Sequence, residues 1–510
     1  MRGKGIANDM STTDWIFLTF FLIALLALIG IAEIIRRIMH WSTEATRKLV
    51  HILVGVLVAT TPFVLHSIWP MIILGVAFAG LDYFAIRYNL FKMMHGTKRR
   101  TYGTVFYPIS FIILTATLWD NNKLILVASM LIMALADATA AIVGENIKKP
   151  KVLRIGSEQK SVQGSIAMFL VSFFIVITCC LVAVQIGQLD FSIARILFVS
   201  IIVGIVATLA EVLSVKGSDN LSVPLGSAFV LYFMLNESLQ AGYTFTLGMV
   251  IALAIAIISY RLRFLSSSGS VALILLGTLV FGVGGWTFAG PILAFFILSS
   301  VLSKVGKKRK TKLLSVFEKS GTRDAGQVLA NGGVAGLMLI FWYFSKDSMF
   351  YVAYVASLAA VTADTWATEV GVLAKGNPRS ILTFKPVPLG TSGGISFLGT
   401  MGALLGSLVL TTSGILFSPH SSPQFFGWKE TVVVVLAGLF ACMVDSILGA
   451  TVQAQFRCPS CNKVTEKHVH CDNVDTIFHQ GFRWINNDAV NSLCAVSGVL
   501  FVWLYWFIRA

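Results

Sequence analysis

Apolar residues run in long unbroken stretches along this chain, each closed by charge or by proline and glycine. The stretches fall near 14–34, 47–65, 69–87, 104–119, 123–145, 163–186, 192–213, 223–236 and 241–260. They continue at 269–284, 286–303, 328–345, 349–374, 393–416, 430–455 and 489–508. Most approach the roughly 20 residues with which a helix crosses about 30 Å of hydrocarbon. They are too long and too regular for strands, and lipid admits only helices and closed barrels. The pattern predicts an all-α polytopic membrane protein with about 16 transmembrane helices in two related bundles. The first run is closed by Glu33 and Arg36-Arg37 with no small-residue cleavage site behind it, so it reads as a retained anchor.

Composition agrees: 56% of the 510 residues are hydrophobic, 12% are charged, and the mean hydropathy is +0.81, which excludes a soluble fold. A net charge of +15 raises nucleic acid as a partner, but most of the 39 Lys and Arg fall in alternate loops, on one side of the bilayer. The positive-inside rule makes that side cytoplasmic and puts both termini outside, so the charge reads as topology, with no nucleic-acid partner. Lys307-Lys308-Arg309-Lys310 reads as a stop signal that also favours anionic lipid.

A nine-residue pattern occurs twice near the end of an apolar run. Ala136-Asp137 to Val143-Gly144 and Ala363-Asp364 to Val370-Gly371 share Ala-Asp, a later Ala and Val-Gly in one register. An ionised side chain at the centre of a membrane helix costs about 2.5–3.5 kcal/mol, so such an aspartate is expected to face a polar cavity and to have a role.

In the first half, Glu44, Arg47, Lys48 and His51 recur at three- and four-residue steps and share a helix face at the cytoplasmic entrance, as an interfacial ion pair also would. Lys98 to Thr104 is a basic patch before a helix start, a setting that suits phosphate. Lys160-Ser161-Val162-Gln163-Gly164-Ser165 opens another helix with phosphate-binding chemistry but without P-loop spacing. Asp137, Glu211 and Asp219, with Asn220 beside them, offer oxygen ligands suited to Mg²⁺ carried by a nucleoside triphosphate. Together E-x-x-R-K-x-x-H (44–51), R-x-Y-G-T (100–104), A-D-A-x-A-x-x-V-G, K-S-x-x-G-S and D-N-L-x-V-P (219–224) resemble the polyprenol kinase family, which includes dolichol, phytol and CTP-dependent diacylglycerol kinases. The resemblance covers roughly 40–262 and implies transfer of a γ-phosphate, commonly from CTP, to a lipid alcohol. On that footing Asp137, Glu211 and Asp219 are the Mg²⁺ ligands and Lys160 faces phosphate. Arg47, Arg100, Ser161, Gly164 and Asn220 line the nucleotide, and His51 is the candidate base.

Arg261 to Gly269 marks a boundary, giving domains 1–263 and 264–510. Beyond it, R-D-A-G-Q-V-x-A-N-G-G (323–333), A-D-T-W-A-T-E-V-G, G-T-S-G-G-I-S (390–396), V-D-S-x-L-G-A-x-x-Q-A (444–454) and N-N-D-A-V-N (486–491) resemble the phytyl-phosphate kinase family. This resemblance implies phosphorylation of a prenyl monophosphate to the diphosphate. Asp364, Asp445, Asp488 and Glu369 become candidate metal ligands, although Glu369 lies about 140° round the helix from Asp364. Asp364 and Asp445 are also the candidate catalytic acids. Arg323, Asn331, Lys385, Gly393, Gly394 and Asn487 are assigned to phosphate and nucleotide. The Gly390–Ser396 segment equally suits a close helix crossing. Four landmarks recur in order in both halves, which implies duplication, with the 69–119 hairpin extra in the first.

Of seven cysteines, Cys458, Cys461 and Cys471 share one loop on the reducing side, where disulfides are not expected. The loop also holds His468 and His470, and the three thiols with one histidine, assigned as His468, form a candidate structural Zn²⁺ site. The reading is a bifunctional membrane isoprenoid kinase using Mg²⁺ and CTP or ATP, with a prenyl alcohol and its monophosphate as substrates. Its rivals are a cytidylyltransferase or kinase acting on another lipid, such as diacylglycerol or phosphatidate, and a lipid or isoprenoid transporter.

Overall fold

The computed structural model describes residues 12–88, 101–155, 158–304, 322–418, 426–471 and 474–509. Arg100 and Lys307 to Lys310 lie outside the described residues.

Every apolar run named above is helical. In chain order the helices are α1 (Thr12–Ile38), α2 (Thr43–Val64), α3 (Trp69–Arg87), α4 (Gly103–Leu118), α5 (Lys123–Asn146), α6 (Val162–Gln185), α7 (Ile193–Leu213), α8 (Asp219–Asn236) and α9 (Leu239–Arg261). They continue as α10 (Ser267–Lys304), α11 (Ala325–Ser345), α12 (Ser348–Gly371), α13 (Phe397–Phe417), α14 (Trp428–Thr451) and α15 (Asn487–Arg509). Among the described residues, 12 of these helices are long and apolar enough to cross a membrane, fewer than the number of runs suggests. Two runs merge in α10, which breaks at Gly285 (φ 57°). Helix α4 is only 16 residues long. Helices α8 and α12 carry more polar and small residues, as suits helices surrounded by protein. The chain is a multi-pass membrane protein.

Two compact units divide between Tyr243 and Thr244, inside α9 and ahead of the 263/264 boundary expected from the loop. The packing of α9 explains the shift. In the first unit Gly242 stands against Phe198 and Met234, while from Gly248 onward α9 packs on Gly282 and Gly277 of α10.

In each unit the aspartate helix is the central one. Helix α5 packs against α2, α4, α6 and α8, and Ile125 to Met130 are buried on all sides. It turns as a π-helix over Ile132–Asp137, one residue wider than the α-helical repeat. Helix α12 packs against α10, α11, α13, α14 and α15, and Tyr351 to Ala363 are buried without interruption. Tyr354 and Tyr351 satisfy their hydroxyls on the carbonyls of Phe288 and Gly414, at 2.6 and 2.7 Å.

Short antiparallel strands precede the helix that follows each aspartate helix. These are β1 (Val152–Ile155) with β2 (Glu158–Ser161) before α6, and β3 (Arg379–Ser380) with β4 (Gly394–Ile395) before α13. Between α14 and α15 lies a ribbon in which β5 (Gln455–Arg457) pairs with both β6 (Val464–Thr465) and β9 (Ile477–Gln480). A hairpin of β7 (Val469–His470) and β8 (Val474–Asp475) projects from it.

Candidate functional site

The first unit gathers its polar residues where α5 and α7 end and α2, α4, α6 and α8 begin. Ser161 caps α6 by accepting the N–H of Gly164 at 3.0 Å, so that amide is committed to the helix start rather than to a ligand. The start lies tight against the aspartate helix. A Cβ on Gly164 would stand 2.8 Å from the Ala140 carbonyl, and one on Gly144 would stand 2.7 Å from Ser161 Oγ. Lys160, the residue before the cap, is thereby set at the mouth of the site. Its Nζ donates to Glu211 Oε1 at 2.6 Å and to Ser214 Oγ at 3.2 Å. Ser214 in turn donates to Asp219 Oδ2 at 3.3 Å, and Asn220 donates its side-chain and backbone N–H groups to Asp219 Oδ1, both at 3.0 Å. Asp137 lies within electrostatic reach of Asp219, Glu211, Lys160 and Arg47. Burial would push the Lys160 ammonium down, but Glu211, Asp219 and Asp137 outweigh it and hold it above its ordinary range.

His51 reaches the same cluster, with Asp219 and Arg47 as its charged neighbours. Its Nε2 lies 3.1 Å from the Met133 carbonyl inside the π turn. A carbonyl only accepts, so Nε2 carries the proton and Nδ1 is the nitrogen left to accept one. Arg47 pairs with Glu44 at 2.6 Å on the exposed rim, and Lys48 pairs with Glu145 at the end of α5. Arg100 is outside the described residues.

The second unit repeats the framework. Ser396 caps α13 through the Gly399 N–H at 3.1 Å. A Cβ on Gly399 would stand 3.0 Å from the Ala367 carbonyl, and one on Gly371 would stand 3.4 Å from Ser396 Oγ. Counted from the aspartates, Ala367 and Gly371 hold the same positions as Ala140 and Gly144, and Ser396 stands three residues before Gly399 as Ser161 does before Gly164. The residue before the cap, however, is Ile395, so Lys160 has no counterpart at that position. Asp364 and Asp445 hydrogen-bond each other, while Oδ1 of Asp445 is buried without a hydrogen-bond partner. Glu466, from the ribbon, acts on both carboxylates and accepts from Ser392 Oγ at 3.0 Å.

Other assignments separate. Glu369 is the charge that acts on Arg323, whose guanidinium burial draws down from its ordinary range. Gln327, which resembles His51 in register, instead completes the Asp324 capping box of α11. Gly393 (φ 78°) brings the loop onto α14, where a Cβ would stand 2.7 Å from the Ser446 carbonyl. That is the close-crossing reading of this segment. Gly394 pairs with Ser380 in the strand pair ahead of α13. Lys385 is exposed on a turn, and Asn331 is half-buried in α11. Asn487 and Asp488 open α15.

The ribbon corrects one ligand. The sulfurs of Cys458, Cys461 and Cys471 converge with a nitrogen of His470, not His468. His470 Nδ1 is 3.5 Å from Cys461 Sγ and 3.1 Å from Cys471 Sγ. His468 instead packs its ring on Phe456, with centroids 4.3 Å apart. Glu466 was missed, and His468 was chosen over His470, because a loop gives no periodicity from which to choose among its acids and histidines.

Residues 250–499 match the family described as integral membrane protein DUF92. The chain is 31% identical to Protein PGR of Arabidopsis thaliana over 275 residues, which covers 49% of this chain and 95% of that protein. It is 30% identical to the phytol kinase of Synechocystis over 229 residues, covering 44% of this chain and 94% of the kinase. The chain belongs to the phytol/prenyl kinase family. Another family relative, the chloroplastic Protein VTE6 of Arabidopsis thaliana, is 28% identical over 233 residues, 44% of this chain and 61% of that protein. No solved structure matches the chain. Family membership supports a kinase-type phosphotransferase in the membrane, acting on a prenol-type substrate.

Proposed function

We propose that each unit holds one phosphotransfer centre. The first converts an isoprenoid alcohol to its monophosphate, and the second converts that monophosphate to the diphosphate. The observation that carries this reading is the repeated framework: an aspartate helix locked against a Ser-x-x-Gly helix start, with further acids from neighbouring elements, once in each unit. Relatives that include a phytol kinase, and a second half that resembles the phytyl-phosphate kinase family, fit two consecutive reactions on one lipid.

In the first reaction the hydroxyl oxygen of the prenol bonds to the γ-phosphorus. The bond from that phosphorus to the bridging oxygen of the β-phosphate breaks, and the nucleoside diphosphate leaves. The hydroxyl proton passes to a base, for which His51 Nδ1 is the candidate. In the second reaction an oxygen of the prenyl phosphate is the nucleophile. Such transfers need chiefly positioning and neutralised charge, which Lys160 and the surrounding dipoles supply in the first unit. Carboxylate oxygens are the donors that hard Mg²⁺ prefers. Asp137 and Asp219 would hold it in the first unit. In the second, Asp364 and Asp445 with Glu466 would do so, where the unpartnered buried Oδ1 of Asp445 fits a metal-binding role. When bound, Mg²⁺ neutralises the β- and γ-phosphate oxygens. CTP is the proposed donor, and the basic loops support a cytoplasmic face for both centres. Fusing the two steps keeps the intermediate at high local concentration.

Purified protein supplied with phytol, geranylgeraniol or farnesol and γ-labelled CTP or ATP should release labelled mono- and diphosphate. Label that transfers from the α-phosphate instead would identify a nucleotidyl transferase and overturn the reading. Lipid movement driven by an ion gradient without nucleotide would identify a transporter.

A further inference from the structure

We propose that Cys458, Cys461, His470 and Cys471 bind one zinc ion, and that this ion holds the ribbon in the fold that carries Glu466 to the second acidic site. The four ligand atoms already lie within 4.8 Å of one another. Zinc at about 2.3 Å from each sulfur places tetrahedral sulfurs about 3.8 Å apart, so a slight contraction closes the site around a single ion. The local backbone is shaped for it. The Asn462 N–H donates to the Cys458 carbonyl at 2.9 Å and the Cys458 N–H donates to the Lys463 carbonyl at 3.0 Å. Asn462 sits at φ 61°, which turns the chain so that Cys458 and Cys461 face one point. Cys458 is fully buried, whereas Cys471 is exposed and leaves the ion a way in.

The ribbon needs such a clamp. Its apolar centre is little more than Phe456, Phe478 and the ring of His468, far less than an independent core requires. Metal binding supplies the missing folding free energy in modules of this size. Glu466 lies between the Cys458–Cys461 pair and the His470–Cys471 pair, so closing the four ligands fixes both ends of the segment that bears it. Its carboxylate is then held by Ser392 and acts on Asp364 and Asp445. This coupling rests on the reading of the second unit as a phosphotransfer centre, whereas the zinc site itself does not.

The full-length protein purified in detergent should contain one zinc per chain by elemental analysis, and zinc X-ray absorption should show three sulfurs and one nitrogen. Cys461→Ser, Cys471→Ser and His470→Ala should lose the metal, while His468→Ala keeps it. No metal, iron in place of zinc, or a His470→Ala protein that retains zinc overturns the site. Removing zinc with a selective chelator while Mg²⁺ is kept in excess should speed proteolysis within 455–480, reversibly on adding zinc back. If that segment is cut no faster, the clamp is wrong even where a cysteine variant fails to fold. The same depletion should slow monophosphate conversion about tenfold or more, as outer-shell supports of a site commonly do, and leave alcohol phosphorylation within about twofold. Equal rates with and without zinc overturn the coupling and leave the site standing. A protein that transfers no phosphate in either state overturns the kinase reading, while zinc content and proteolysis still decide the site.

Discussion

Lys160 Nζ stands 2.6 Å from Glu211 Oε1, and the residue that precedes the matching helix start of the second unit is Ile395. One centre thus has a built-in cation among its acids, while the other sets Asp364 directly against Asp445. Two carboxyl groups in that position need a proton or a metal between them. Mg²⁺ titrations should therefore differ. Both steps should stop in EDTA, and lowering the pH should raise the Mg²⁺ needed for half-maximal rate more for the second step than for the first. Parallel shifts for the two steps would count against this difference.

Replacing Lys160 by Met leaves Glu211, 6% exposed, without its cation. Breaking a buried pair in this way costs roughly 3–5 kcal/mol, to be read as a lowered thermal midpoint in detergent. Adding Glu211→Gln should recover most of that stability but not alcohol phosphorylation. Since the folded state holds Lys160 above its ordinary range, the stabilisation is fully present below the unfolded value of about 10.4 and is lost only as pH rises through the folded one. Stability should thus stay flat for this pair through neutral pH.

Asp137→Asn should leave free prenol unused while added monophosphate is still converted, and Asp364→Asn should let monophosphate accumulate. Thin-layer separation of the labelled lipids reads both outcomes. A variant that makes both products at the normal rate removes its aspartate from the proposed chemistry.

Gly164→Ala and Gly399→Ala push a methyl to 2.8 and 3.0 Å from a backbone carbonyl of the aspartate helix. Each should cost about 1–3 kcal/mol and slow its own step. Gly226, in α8 with nothing within 4 Å, is the control. Alanine there should be neutral or raise stability by up to about 1 kcal/mol through helix propensity.

His51→Gln retains an N–H able to reach the Met133 carbonyl, whereas His51→Ala does not. If anchoring the π turn is the main task of His51, the glutamine variant should keep alcohol phosphorylation within about tenfold of the parent and the alanine variant should fall further. Equal loss of about 10²-fold or more in both would make Nδ1 the base.

The helices and the two aspartates were legible because a charge inside an apolar run is conspicuous and the motif repeats. So were Lys160 and Asp219, which short linear motifs carry, and Glu211, an acid near the end of an apolar run. The division of the compact units within α9 was not legible, because α9 is a single helix whose residues before and after Gly248 pack in different units, and no loop marks that change. Gln327 stands four residues after Arg323 as His51 does after Arg47 but is spent on a helix cap, since register alone does not say where a helix begins. Glu466 and His470 come from a ribbon whose fold depends on contacts between sheet and hairpin, so neither spacing nor hydropathy distinguishes them from Glu369 or His468.

The wide turn at Ile132–Asp137 makes the first centre depend on a peptide count. Inserting one residue at ordinary pitch just ahead of it would swing everything beyond by about 100° around the axis. Asp137 would then face away from Glu211 and Asp219 although every ionisable group remained in the chain. Length variants of this segment are therefore a way to silence alcohol phosphorylation without altering the charge inventory of the membrane domain.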